Sequence, residues 1–152
     1  MRKKALDLLA GREHSREELK QKLSQKDYAA DEIDTLLDTL AKEDLQSDSR
    51  FVAAFVRSRV ERGYGPVYIA NELGNRGVDS VLLNAHYGEH EYDWLALLKQ
   101  LWQKKFDSKP RSPAAYAKQY RFLKQRGFES MEIHALLKQV LKETKHEIYD
   151  DY

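Results

Sequence analysis

Residues 47–78, SDSRFVAAFVRSRVERGYGPVYIANELGNRGV, decide the fold. Ser47, Asp48 and Ser49 can each cap a helix start by accepting a backbone N–H bond. Phe51, Val52, Phe55 and Val56 then share one helical face, with Val60 at its edge and Arg57 pointing away. Arg59 and Arg62 fall nearer the apolar side, in the last turns, where long side chains reach past it. Gly63-Tyr64-Gly65-Pro66 breaks the run, and Pro66 suits the first position of a following helix. That second helix carries Ile69 and Leu73 and ends near Gly74 or Gly77. The stretch predicts two helices joined by a glycine-rich turn.

Working outward, the same signals recur. Lys3 to Ala10 is a short amphipathic helix ended by Gly11, and Ser15-Arg16-Glu17-Glu18 is a capping box opening a helix with Leu19 and Leu23. A turn at Lys26-Asp27 leads to a third helix with Ile33, Leu36, Leu37 and Leu40. A shift of about fifty residues aligns Leu23, Leu73 and Leu123, then Tyr28, Val78 and Phe128, then Ile33, Leu83 and Ile133. Each residue closing a turn precedes its matched partner by five positions, as a hydrophobic staple requires. Three staples in one register make an internal repeat. In the third copy the second helix opens at Ser112-Pro113, after an aromatic-rich first helix from Tyr92 to about Phe106. The link Asp107 to Ser112 is the best candidate for a flexible joint, and the tail from Lys142 loses apolar periodicity and is expected to fray.

The expected fold is therefore all-α: an elongated, curved array of three tandem three-helix repeats, residues 1–47, 48–91 and 92–141, followed by a tail at 142–152. Each repeat is too small to bury a core well alone, so neighbours should share apolar surface.

Composition removes several function classes. The chain has no cysteine, which excludes disulfides, thiol catalysis and thiolate metal sites, and makes the cytoplasm the default location. No apolar run approaches the roughly 18 residues of a membrane span, and the apolar segment near the N-terminus is too short for a secretory signal. His86-Tyr87-Gly88-Glu89-His90 matches an inverted zinc-protease pattern, yet Gly88 sits inside it where a helix should end, so it reads as two exposed histidines. His14, His134 and His146 are isolated and read as exposed or core-edge residues. Asp31, Glu32 and Asp34, and Asp150 with Asp151, lack the apolar surroundings that general acid–base work needs. Gly63-x-Gly65 has no preceding strand and no following Lys-Ser/Thr, so it is a helix–helix turn rather than a phosphate loop. Neither a catalytic constellation, nor a cofactor, nor a metal site is assigned.

Charge supplies the positive clue. The net charge is +1, but nine basic residues face one acid, Asp107, between Lys99 and Arg126. A local excess of this size in a balanced chain points to a polyanionic partner. The candidate contact residues are Arg57, Arg62, Tyr64 and Arg76 in the middle, then Lys104, Lys105, Lys118, Arg121, Lys124 and Arg126 downstream. Cations on one helix face neutralise phosphates without reading sequence, and tyrosines such as Tyr64 and Tyr120 can stack on bases. Against this stands the ordinary alternative of packing tyrosines and solubilising cations.

The middle stretch resembles the central motif of the RecX family, bacterial modulators of the RecA recombinase. The resemblance rests on Asp48 and Arg50-Phe51 before the apolar helix, Gly63, Gly65 and Pro66 in the turn, Ile69 and Leu73, and the closing Arg76-Gly77-Val78. HSREEL at 14–19 and FLKQRGF at 122–128 resemble the family's opening and closing repeats, and Asp27 departs from it by replacing a turn glycine. The resemblance spans about residues 3 to 140. It implies tandem three-helix repeats and a cytoplasmic, non-enzymatic regulator; separately, the chain is expected to be a monomer. Such a regulator docks on the RecA–DNA filament, contacting single- or double-stranded DNA, and restrains ATPase and strand exchange. Two competing classes are a stand-alone single-strand binder and a helical-repeat scaffold for an unrelated protein.

Overall fold

Several helices begin where the sequence supplies a side-chain cap; those that follow Met1 and Ala29 begin without one. The computed structural model describes the backbone of residues 1–150 and the side chains of residues 1–143. Among the described residues there are nine α-helices and no strand. They are α1 (Arg2–Gly11), α2 (Arg16–Ser24), α3 (Ala30–Lys42), α4 (Asp48–Glu61), α5 (Pro66–Asn75), α6 (Ser80–Glu89), α7 (Trp94–Lys105), α8 (Pro113–Gln125) and α9 (Ser130–Asp150). The all-α architecture of three-helix repeats is the one the sequence predicts.

The capping box forms: the Glu18 N–H donates to Ser15 Oγ at 3.1 Å, and the Ser15 N–H donates to Glu18 Oε1 at 3.0 Å. Ser112 caps α8 by accepting from the Ala115 N–H at 3.0 Å, with Pro113 in the first turn. Of the three candidate caps before α4, Ser47 does the work, accepting from the Arg50 N–H at 3.2 Å. Asp48 instead accepts from the Arg16 N–H at 2.9 Å and so holds the start of α2.

The residues matched by the fifty-residue shift lie in the core, except the half-buried Tyr28. Leu23, Leu73 and Leu123 are all buried, as are Ile33, Leu83 and Ile133. The turns that precede α3, α6 and α9 differ. Gly77 and Gly127 take left-handed φ values of 73° and 93°. This lets Val78 N–H donate to Leu73 O at 3.0 Å and Phe128 N–H to Leu123 O at 3.4 Å, closing the end of the preceding helix. Asp27 does not take that conformation. In its turn the Tyr28 N–H bonds Lys26 O at 2.8 Å instead, the distortion expected where the glycine is missing.

By compactness the chain divides into two units, and the division passes through α4 and α5. Unit 1 comprises residues 1–58 and 70–91; unit 2 comprises residues 59–69 and 92 onward. In unit 1, Ala5, Leu19, Leu23, Ile33, Leu37 and Leu40 form one core cluster. In unit 2 the cluster is Leu98, Trp102, Leu123, Phe128, Ile133, Leu136, Leu137 and Val140.

Three expectations need correction. The link 107–112 is anchored: buried Gln119 accepts from Trp102 Nε1 at 2.8 Å and donates to Ser108 O at 3.1 Å, and Pro110 is buried. A buried amide with both ends bonded fixes the link that contains them. Helix α9 continues past Lys142 to Asp150, because nothing there breaks it: the segment has no proline or glycine, and Gln139 bonds Glu143 one turn on. Tyr152 and Asp151 lie outside the described residues. His86 is buried rather than exposed, because α6 runs through it to Glu89 and turns it inward.

Candidate functional site

The repeat makes one kind of joint twice, once in each unit, and the joints place the candidate residues. In unit 1, Ser15 at the start of α2 donates its hydroxyl to the Arg76 carbonyl at 2.9 Å. In unit 2 the equivalent position, Gly65, donates its backbone N–H to the Arg126 carbonyl at 2.7 Å, and Val67 N–H donates to Gly127 O at 2.9 Å. The second joint is the closer. A Cβ on Gly127 would lie 2.3 Å from Tyr68 Cβ and 2.5 Å from Tyr68 N, and one on Gly65 would lie 2.5 Å from Gly127 O. In unit 1 a Cβ on Gly77 meets only the Glu17 side chain, at 2.6 Å.

The arginines of the two joints face different surroundings. Arg76 is half-buried between carboxylates, with Nε 3.5 Å from Glu18, a charged bond to Glu72 and its guanidinium 4.8 Å from the Phe55 ring centre. Burial opposes ionisation of Glu18, but the Arg12 guanidinium and the Ser15 N–H outweigh it and hold the Glu18 carboxyl below its usual value. Arg126 meets no carboxylate among the described residues. Its guanidinium lies 4.7 Å from the Tyr64 ring centre and 5.4 Å from that of Phe122, and donates to the Arg62 carbonyl at 3.1 Å.

Around Arg126 the structure gathers part of the predicted set. Lys105 Nζ lies 5.1 Å from the Phe122 ring centre, and Phe122 packs edge-on against Phe106. Arg62, Tyr64 and Lys104 line one cleft of about 150 Å³, floored by Val60, Leu97, Leu101 and Phe128. Arg62, Tyr64, Lys104, Lys105 and Arg126 therefore form one cationic and aromatic cluster. Lys118, Arg121 and Lys124 are exposed on the outer side of α8, whose buried positions are Gln119 and Leu123. Arg57 and Arg76 belong to unit 1.

Ion pairing separates the units further. Eight ion-pair contacts tie residues between Arg2 and Arg76, among them Arg16–Asp38 at 2.9 Å, Lys20–Asp34 at 3.3 Å and Arg50–Glu13 at 3.1 Å. Among the described residues, Lys104, Lys105, Lys118, Arg121, Lys124 and Arg126 enter none of these. Unneutralised cations on a surface keep their field for a partner, within a Debye length of about 8 Å.

The tyrosines are already engaged. Tyr64 stacks on Tyr68 with ring centres 4.1 Å apart, and Tyr120 stacks on His134 at 4.7 Å while its hydroxyl bonds Ser130 at 2.8 Å. Sequence reading missed Phe122, which holds Lys105 and Arg126 on one ring; its spacing of four from Arg126 was the available signal. It also missed two buried histidines. His14 bonds Arg12 O through Nδ1 at 3.0 Å and Lys22 Nζ through Nε2 at 3.2 Å, and burial pushes its pKa down. Burial also lowers His86, whose ring stacks on His90 at 4.5 Å. No group of His, Asp or Glu able to hold a metal occurs among the described residues. No helix among them is long and apolar enough to cross a membrane.

Three family descriptions match the chain in tandem: RecX, first three-helix domain, over residues 2–40; RecX, second three-helix domain, over 47–85; and RecX, third three-helix domain, over 91–137. The chain belongs to the RecX family. Regulatory protein RecX of Pseudomonas entomophila (strain L48) is 44% identical over 138 residues, covering 90% of this chain and 89% of the relative. Regulatory protein RecX of Chromohalobacter salexigens is 47% identical over 134 residues, covering 87% and 88%. Among solved structures, RecX from Lactobacillus salivarius shares the fold with a TM-score of 0.70 at 21% identity, over 91% of this chain and 93% of that one. The RecX family model boundaries leave the basic link 107–112 inside the third domain.

Proposed function

We propose that this chain is a cytoplasmic, non-enzymatic regulator that docks as a monomer on the RecA–DNA filament and restrains its ATPase and strand-exchange activities. Membership of the RecX family supports the class of partner, and the chemistry of unit 2 supports the mode of attachment. One observation carries it: Lys104, Lys105, Lys118, Arg121 and Lys124 are exposed and lack carboxylate partners among the described residues. A nucleoprotein filament offers phosphates and acidic side chains to such cations, and binding releases counterions, so affinity falls steeply with salt. Phosphate contacts of this kind position a protein without reading sequence. The carboxylate-rich surface of unit 1 carries its own ion pairs and suits a protein neighbour better than DNA.

The stand-alone single-strand reading draws on the basic face and on tyrosines that stack on bases. Tyr64 and Tyr120 each already stack on another ring, which leaves electrostatics as the main source of affinity. The test is a RecA ATPase assay on single-stranded DNA with this protein titrated in. Inhibition at stoichiometric levels is expected, and no effect at those levels contradicts the proposal.

A further inference from the structure

The cleft in unit 2 has a chemistry that phosphate binding does not use. Its floor is apolar, made by Val60, Leu97, Leu101 and Phe128, and its volume of about 150 Å³ suits one aromatic or aliphatic side chain. Three backbone groups at its edge are already satisfied. Gly63 N–H bonds Val60 O at 3.0 Å, Tyr64 N–H bonds Arg59 O at 3.0 Å, and Arg62 O accepts from Arg126. A base set against these apolar residues would depend on the rim side chains Glu61, Arg62, Gln100 and Lys104 for its polar edge, at a cost of about 1–3 kcal/mol for each group they miss, whereas an apolar side chain needs no such partner. The rim is cationic: Arg62 and Lys104 line it, Lys105 and Arg126 adjoin it through Phe122 and Tyr64, and Glu61 is the single carboxylate among the lining residues. Gly63, at φ 84°, leaves Leu101 at the wall; a Cβ there would lie 3.1 Å from Leu101 Cδ1 and narrow the cleft.

We infer that this cleft is a docking site for a protein partner, receiving one apolar side chain flanked by carboxylates that pair with Arg62 and Lys104. The occupant is an acidic–apolar segment of a protein, not a nucleotide. The inference refines the filament-docking reading by naming what the protein partner presents, and its test contains neither recombinase nor DNA filament. Its failure would therefore leave the ATPase result untouched.

The experiment is an NMR titration of the full chain with a short acetylated peptide carrying phenylalanine between aspartates. A second peptide has serine in place of the phenylalanine, and a short oligothymidylate serves as the nucleic-acid probe. The phenylalanine peptide is expected to shift the Leu97 and Leu101 methyls and the Gly63 amide. The serine peptide should bind about tenfold more weakly, the worth of burying one such side chain. Arg62→Glu with Lys104→Glu should weaken the phenylalanine peptide about tenfold while leaving the melting temperature near that of the parent. Exposed Gln100, replaced by Trp to cover the cleft, should abolish the methyl shifts; if that variant misfolds, the charge-reversed one decides. Equal binding of the two peptides, silence of the methyls towards both, or stronger methyl shifts from oligothymidylate would each overturn the inference.

Discussion

The turns at 76–78 and 126–128 occupy the same place in the repeat, yet their arginines do different things. Arg76 is held by Glu18 and Glu72, and its charge is used up within unit 1. Arg126 is held by a carbonyl and two aromatic rings, and its charge stays uncancelled. The same contrast runs through both units: six cations of unit 1 pair with its own carboxylates, while those of α7 and α8 enter no ion pair among the described residues. One repeat thus yields two kinds of surface by changing what faces a conserved turn geometry. The near-zero net charge of the chain conceals a network of ion pairs in unit 1 and a set of unpaired cations in unit 2.

The largest effect that tests this contrast concerns the joints. Gly127→Ala should cost about 3 kcal/mol or more, since its Cβ meets Tyr68 backbone in a left-handed conformation. Gly77→Ala should cost about 1–2 kcal/mol, because the Glu17 side chain can move aside. Denaturant melts of the two variants measure the difference, and equal losses would erase the distinction between the joints.

Next in size is the exchange of the two arginines for neutral residues. Arg76→Gln should lower stability by about 1 kcal/mol through the partly buried Glu18 and Glu72 pairs. Arg126→Gln should lower stability less and weaken salt-sensitive binding of single-stranded DNA by about threefold, as loss of one phosphate-facing charge would. Thermal melts and fluorescence anisotropy separate the two effects. A fall in DNA affinity on changing Arg76 alone would blur the contrast.

The smallest effect is acid sensitivity. His14 and His86 are both held below their usual pKa by burial, so the folded chain binds fewer protons than the unfolded one. Their contribution is complete above about pH 6.5 and is lost as pH falls through their folded values. Stability should therefore drop on acidification below neutrality, and His14→Gln should flatten that slope. Both histidines lie in unit 1, so a slope unchanged by His14→Gln would move the acid-sensitive group elsewhere.

Much of the fold was legible because local signals repeat. Ser15 with Glu18, Ser112 with Pro113, and the turn glycines all announce helix ends through short-range chemistry. Asp27 likewise announced the one turn that closes differently. The joints were not legible. Ser15 reaches Arg76 and Gly65 reaches Arg126 across more than sixty residues, and both end on a backbone carbonyl that leaves no mark on side-chain pattern. Gln119 carries no distinguishing signal in the sequence, and only its bonds to Trp102 and to the Ser108 carbonyl reveal it as the clamp on the link. For the site, spacing along α8 exposed Lys118 and Arg121 and could pair Phe122 with Arg126, but it gave no hint that Lys105 of α7 shares that ring. Nor did composition distinguish paired from unpaired cations, which is the property that matters for binding.

The claim at the centre is that the cations of α8 face the filament while those of unit 1 serve other ends. The direct measurement compares two triple reversals in the RecA ATPase assay: Lys118→Glu with Arg121→Glu and Lys124→Glu, against exposed Lys3→Glu with Lys26→Glu and Lys42→Glu in unit 1. The same change of charge should abolish inhibition in the first protein and leave it nearly intact in the second. Inhibition that survives the α8 reversal, or falls equally in both, would contradict the account.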